Sequence, residues 1–259
     1  MRVIVLASGS GGNALIVEQA GRPSSRLLID AGLPPRVMRK RYQAATGAAL
    51  EAMDGVLITH GHGDHIRHAE ACGRAFGAPV WMTRPALARL QRRAPGLEAQ
   101  GWLRSFEAGE RLQMGAFRVR TLPTPHDEPQ VAVIVEGAER RLGLATDLGE
   151  VPAALEEALR ACDTVLLESN HDLEMLRRGP YPPFLKERVA GGYGHLSNQQ
   201  AATLLGSMGE KLERVLLMHI SARNNTHERA LREANRALEG RGLSIQAASQ
   251  DQPLLLPLR

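Results

Sequence analysis

Short runs of aliphatic and β-branched residues recur from one end of the chain to the other: VIVLAS (3–8), ALIVEQ (14–19), RLLIDAG (26–32), GVLIT (55–59), PVWMT (79–83), FRVRTL (117–122), VAVIVEG (131–137), RLGLAT (141–146), TVLLES (164–169) and RVLLMHI (214–220). Runs of this length, bounded by turn-forming residues, predict strands. Between some of them the apolar spacing lengthens to a helical period, at 64–76, 84–93, 152–161, 197–208 and 226–239. Pro85, Pro152 and the Ser197 to Gln200 capping box mark the starts of three of these helices. A β-rich run is followed by strands and helices in alternation, and then the same again, which predicts an α/β fold. The stretch 179–196, GPYPPFLKERVAGGYGHL, carries three prolines and several glycines. It is expected to lack long regular structure, and loops of that length in compact domains tend to serve function.

The 259 residues fit one α/β domain, 1–259, since no linker or internal repeat divides them. No apolar run approaches the roughly 20 residues a membrane helix needs. The start MRVIVLASGSGG turns to glycine and serine before a signal-peptide core could form. A cytoplasmic protein with no membrane partner is expected. Cys72 and Cys162 lie far apart without CxxC spacing, which argues against a zinc finger or a disulfide framework and predicts two buried small side chains. The net charge of +4 would suit a polyanion, but 29 of the 32 basic residues are arginine, so charge alone decides little. Arg36, Arg39, Lys40 and Arg41 form one basic cluster and Arg84, Arg89, Arg92 and Arg93 another, and solvated helix faces are the plainer reading of each. Aromatics at 3% leave little for a stacking platform on single strands.

The chemistry concentrates in THGHGDH, residues 59 to 65, directly after the strand GVLIT. A loop that leaves a strand and opens a helix aims His60, His62, Asp64 and His65 into one small volume, with Asp64 placed to cap its own helix. Imidazole and carboxylate are ligands for zinc, manganese or iron. His126 follows FRVRTL, Asp147 ends RLGLAT and His219 lies near the end of RVLLMHI. All three fall at strand carboxyl ends, the edge of an α/β sheet where ligand sites form. One loop cannot complete two coordination shells, and these three residues supply what it lacks. His68 and His227 are expected outside the cluster, on helix surfaces.

HxHxDH, a distant His, an Asp in TDLG and a last His in LMHIS resemble the ordered motifs of the metallo-β-lactamase superfamily. ASGSGGNA (7–14), LLIDAG (27–32), ESNHDLEML (168–176), GHLSN (194–198) and HISARNN (219–225) are similar to its YycJ/WalJ branch, over nearly the whole chain. The resemblance implies a four-layer αββα sandwich with two divalent metal ions at one edge, zinc first and manganese as the alternative. It implies His60, His62 and His126 on one ion, Asp64, His65 and His219 on the other, and Asp147 bridging. It also implies an exonuclease acting on double-stranded DNA from the 5′ end. The sequence departs from the branch after His126, where HDEPQ is shorter than the branch pattern.

Two such ions lower the pKa of a shared water toward about 7 and clamp both oxygens of a phosphodiester displacement, so no protein nucleophile is needed. Asp64 would orient that water or take its proton. His195 resembles the extra histidine of nuclease branches and is the expected general acid, with Glu168 as its partner. Ser8, Ser10 and Asn13 in the glycine-rich turn, together with Asn170, His171, Asn224 and Asn225, are candidates for substrate contact or for support behind the metal ligands. Two other readings stand beside the nuclease: a small-molecule hydrolase acting on a cyclic phosphodiester or a thioester, and a non-catalytic nucleic-acid-binding member.

Overall fold

The computed structural model describes residues 1–21, 24–93 and 101–258, and the side chain of Arg93 lies outside that description. The first half of the chain forms β1 (Arg2–Ala7), β2 (Ala14–Gln19), β3 (Ser25–Ile29), α1 (Pro35–Thr46), β4 (Gly55–Leu57), α2 (Gly63–Ile66), α3 (Ala69–Phe76), β5 (Val80–Thr83), α4 (Arg84–Arg93) and β6 (Leu103–Phe106). The second half forms β7 (Arg111–Met114), β8 (Phe117–Thr124), β9 (Gln130–Glu136), β10 (Arg141–Ala145), α5 (Ala153–Arg160), β11 (Thr164–Glu168), α6 (Leu173–Arg178), α7 (Pro183–Ala190), α8 (Asn198–Gly206), β12 (Arg214–Met218), α9 (His227–Ala237), β13 (Ser244–Ala247) and β14 (Leu254–Pro257). Among the described residues these strands build two seven-stranded mixed sheets, ordered β14-β1-β2-β3-β4-β5-β6 and β13-β12-β11-β10-β9-β8-β7.

The strands read as unbroken apolar runs because both faces of each sheet are covered. Val3, Val5, Leu27 and Ile29 of the first sheet pack between the sheets against Val133, Val135, Leu166 and Leu216 of the second. The alternate residues Ile4, Leu6 and Leu28 pack outward on Met38 and Tyr42 of α1 and on Phe76 of α3. On the other side Val165, Leu167, Val215 and Leu217 face Leu155 and Leu159 of α5, Leu204 and Leu205 of α8 and Ala230 of α9. The result is the four-layer αββα sandwich expected from the sequence. Among the described residues no helix is long and apolar enough to cross a membrane.

Every expected strand forms; those expected over 26–32, 55–59, 141–146 and 214–220 stop one to three residues short, whereas the one expected over 117–122 runs on to Thr124. Asp30, Asp147 and His219 have φ of 61°, 56° and 53°, left-handed backbone that ends the ladder. The parallel strands β3, β4, β10, β11 and β12 therefore deliver their next residues into loops at one common edge.

Several expectations need correction. The helix at 64–76 is two pieces, broken where His68 leaves helical geometry (φ −113°, ψ 16°). Asp64 does not cap it; His62 is the N-cap, and the Asp64 carboxylate turns instead toward His65 and His219. The stretch 179–196 contains α7, because Pro182 is its N-cap and Pro183 its first residue, where a missing N–H costs nothing. The basic cluster at residues 36–41 lies on α1, with Arg39 donating to the Ala75 carbonyl and Arg41 to those of Leu6 and Gln250. Both cysteines are buried as expected, and burial pushes each thiol up to about 12.

Candidate metal centre

β4 ends at Leu57, and the chain then passes through Thr59 and His60 into α2, which presents Asp64 and His65. The loops after β3 and before β2 stitch α2 in place: Ala31 N donates to the His65 carbonyl (2.7 Å) and Asn13 N to that of Asp64 (2.7 Å). Gly32 must lack a side chain, because a Cβ there would overlap the Asp64 carbonyl oxygen. From the second sheet, β8 leads to His126, β10 to Asp147, β11 ends on Glu168 and β12 leads to His219.

These residues converge. His60 Nε2 lies 3.0 Å from His62 Nδ1, which is 3.3 Å from His126 Nε2. Asp64 Oδ2 is 3.4 Å from His65 Nε2 and 3.7 Å from His219 Nε2. Asp147 stands between the groups, Oδ2 at 3.3 Å from His65 Nε2 and Oδ1 at 3.4 Å from His219 Nε2. Within each of the sets His60–His62–His126, His60–His65–Asp147 and Asp64–His65–His219 the donor atoms lie within 4.8 Å of one another, close enough to hold a cation. Asp147 Oδ2 and His219 Nε2 are buried without a hydrogen-bond partner, an arrangement that a folded interior avoids unless the atoms serve a ligand. The residues present therefore fit divalent metal.

A second layer of bonds fixes the rings. Asp30 Oδ2 lies 2.7 Å from His65 Nδ1, and the same carboxylate accepts from Thr59 N (2.9 Å) and Thr59 Oγ1. Thr59 Oγ1 is 3.1 Å from His60 Nδ1. Glu168, fully buried, lies 2.9 Å from His195 Nδ1 and 3.1 Å from His219 Nδ1 through Oε1, while Oε2 accepts from Leu148 N and Leu196 N. With Nδ1 so engaged, the Nε2 atoms of His65, His219 and His195 are the ones left for other chemistry.

The two groups differ in charge. Burial lowers the pKa of His60, His62 and His126, so that trio presents neutral imidazoles. Burial opposes charge at His65 and His219 too, but carboxylates prevail: Asp30 and Asp147 raise His65, and Asp147, Asp64 and Glu168 push His219 up to about 10. Against the cost of burial, His195 and His219 hold Glu168 down to about 2. The same carboxylate and Asp147 raise His195 despite its burial.

Other candidates stand around this centre. Ser8 Oγ accepts from His219 N (2.8 Å), and Asn13 Nδ2 donates to Asp64 Oδ2 (3.2 Å). Asn170 Nδ2 donates to the His219 carbonyl (2.9 Å). Asn225 Nδ2 donates to the carbonyls of Ser169 and Asn170, tying that loop together. Asn224 is buried, and its backbone carbonyl accepts from Asp172 N. His171 is fully buried with both ring nitrogens unpaired, and burial lowers it to about 4. Ser10 is exposed on the glycine-rich turn, whose Gly9, Gly11 and Gly12 N–H groups donate to Asn13 Oδ1, Gln250 Oε1 and the Gly9 carbonyl. His227 is exposed, with Nε2 2.8 Å from the Ala248 carbonyl, and His68 is half-buried outside the cluster.

Sequence reasoning missed Asp30, Thr59 and Asp127. Asp127 Oδ1 lies 3.1 Å from His62 Nε2 and 3.2 Å from His126 Nε2, and its other oxygen pairs with Arg188. The next residue, Glu128, pairs with Arg89. The short HDEPQ loop is thus clamped from both sides. Asp30 carries the same strand-end signal that pointed to Asp147.

A family profile described as a beta-lactamase superfamily domain matches residues 25–220. The exodeoxyribonuclease YycJ of Bacillus anthracis is 30% identical over 245 residues, covering 93% of this chain and 90% of that protein. The exodeoxyribonuclease WalJ of Streptococcus pneumoniae serotype 2 is 30% identical over 230 residues, or 87% of this chain and 84% of that one. Among solved structures, the metallo-beta-lactamase fold protein YhfI from Bacillus subtilis superposes with a TM-score of 0.71 at 16% identity, covering 97% and 98% of the two chains. That last likeness speaks for the fold, and the first three for descent. The chain belongs to the metallo-β-lactamase superfamily, as an enzyme of its metal-dependent hydrolases and a relative of the YycJ and WalJ exonucleases.

Proposed function

We propose that this enzyme is a dinuclear phosphodiesterase that removes nucleotides from the 5′ end of double-stranded DNA. The observation that carries the reading is the Glu168–His195 pair, 2.9 Å apart, set against a cluster of histidines and carboxylates suited to metal. Hydrolysis of a phosphodiester needs a proton delivered to the leaving oxygen as well as an activated water. His60, His62 and His126 would hold one ion, Asp64, His65 and His219 the other, with Asp147 shared. Zinc suits both imidazole-rich sets, and manganese is the alternative, favoured by the carboxylates of the second. Divalent cations held there would supply Lewis-acid activation of water and neutralise charge on the phosphodiester.

The chain's own groups do the rest. Glu168 binds His195 through Nδ1 and favours its charged form, so Nε2 is the proton donor toward the leaving oxygen. The His195 side chain is 22% exposed, which leaves it open to substrate while Glu168 stays fully buried. Asp64, with one oxygen among the ring nitrogens, is placed to orient the attacking water and accept its proton. Asn13 and Ser8 hold Asp64 and His219 in place from behind.

The test is an assay on 5′-phosphorylated duplexes with each end blocked in turn, beside elemental analysis of the purified enzyme. Release of mononucleotides from open 5′ ends is expected, abolished by chelation. His195→Ala should cut turnover about 10²- to 10⁴-fold with metal content kept. Robust thioester or cyclic-phosphodiester turnover without nuclease activity would overturn the assignment in favour of a small-molecule hydrolase.

A further inference from the structure

α7 buries none of its residues, yet a helix of eight residues has little stability of its own in water. Polar contacts hold it: Arg188 Nε donates to Asp127 (3.1 Å), Lys186 Nζ to the Arg177 carbonyl (2.7 Å), and His195 N to the Val189 carbonyl (2.9 Å). Among the described residues three large hydrophobic side chains are exposed, Leu173 (48%), Phe184 (71%) and Tyr193 (69%), and all three precede His195 within one segment. The rings of Phe184 and Tyr193 take no part in the core and are open to a partner.

Both aromatic residues belong to elements that are tied to the metal centre. Phe184 and Arg188 are four residues apart on α7, so they share a face with Cβ atoms about 5–6 Å apart. Arg188 in turn reaches Asp127, which touches His62 and His126. Tyr193 occupies a central position of the turn closed by Gly194 N donating to the Gly191 carbonyl (2.8 Å), two residues before His195. That turn is seated on Gly149, where a Cβ would overlap Gly191 and Gly192, and so on the loop that carries Asp147.

The same segment of the chain carries Arg177, Arg178, Lys186 and Arg188, with Arg178 paired to Glu174 and Arg188 to Asp127. Two exposed rings with charged residues between them in the chain suit a nucleobase on a phosphate backbone better than a continuous apolar partner surface. We propose that Phe184 and Tyr193 form a stacking platform for the base of the terminal nucleotide, placing its phosphodiester over the metal centre; the inference rests on the nuclease reading above.

The test compares two duplexes that differ only in whether the 5′-terminal nucleotide carries a base or is abasic. Steady-state kcat and KM are measured for the native enzyme, Phe184→Leu, Tyr193→Ala and the double variant, with metal content checked in each. For the native enzyme the abasic end should raise KM about 10-fold with kcat little changed. The double variant should show that higher KM on the base-bearing duplex and no further rise on the abasic one. Phe184→Leu keeps apolar bulk without the ring and should lose part of the discrimination, whereas Phe184→Tyr should retain it. An equal loss on both duplexes would assign the rings a merely structural role and overturn the proposal, as would a native enzyme indifferent to the missing base. If neither duplex is cut while a thioester or cyclic phosphodiester is hydrolysed, the nuclease reading fails and takes the platform with it.

Discussion

Two regions meet at His195 and are built by opposite rules. On one side His60, His65, Asp147 and Glu168 are buried, and the ring nitrogens turned away from the cleft are fixed by Thr59 and Asp30. On the other, α7 buries nothing and presents Phe184 to solvent, and the turn that follows it presents Tyr193. Groups that grip a small cation must be held to within about half an ångström, which takes a supporting layer of packed and bonded neighbours. A rim that meets bases of several shapes needs no such precision. The contrast also predicts where substitutions act: at the centre they should remove chemistry and metal, and at the rim only affinity.

The sharpest break is Asp147→Ala. It removes the carboxylate that reaches both groups, so elemental analysis should show metal loss, and turnover should fall roughly a thousandfold, the equivalent of several kcal/mol of charge stabilisation. Retained activity would mean that Asp147 is not shared. Next comes Asp30→Ala, which touches His65 from the side away from the cleft. Metal affinity in a chelator competition should drop about 10- to 100-fold, the usual effect of deleting such a partner; an unchanged affinity would reduce Asp30 to a fold residue.

Proton competition gives a smaller and graded effect. In protein stripped of metal, His219 is pushed up to about 10 and His65 is raised, so at neutral pH each ring carries a proton that an incoming cation must displace. Asp64 and Asp147 are held low and stay ionised. Affinity should therefore climb as pH rises from about 6 to 9 in a chelator competition, and a flat profile would contradict protonated rings. The smallest effect belongs to the rim. Phe184→Ala should leave unfolding stability within about 0.5 kcal/mol, whereas truncating a core residue such as Leu166 should cost about 2–5 kcal/mol. Denaturant melts of the two variants, side by side, measure the contrast directly.

The buried centre was also the legible one. HxHxDH is a local pattern, and His126, Asp147 and His219 announce themselves by following strands whose apolar runs are unmistakable. The strand ends were less visible, because the left-handed backbone of Asp30, Asp147 and His219 interrupts the ladder without any Gly or Pro to mark it. α1 escaped notice because only Met38 and Tyr42 of its twelve residues are buried, and its arginines dominated the pattern. β6, β7, β13 and β14 are short and partly exposed, so their apolar signal is thin. α7 was hidden by its own prolines, which read as breakers when spacing is considered alone and as helix starters once Pro182 is seen to be extended. Asp127 gave no periodic signal at all; its role depends on a partner 61 positions away, Arg188.

The candidate ligands come from both halves, four from the segment between β4 and the end of α2 and three from loops that follow strands of the second half, the last of them His219. A nascent chain interrupted before β12 would own most of the donors yet lack His219, which completes the set with Asp64 and His65. Completion of the second set is thereby tied to the last third of the chain, and a product truncated before β12 should emerge without the paired centre rather than as a weakened hydrolase.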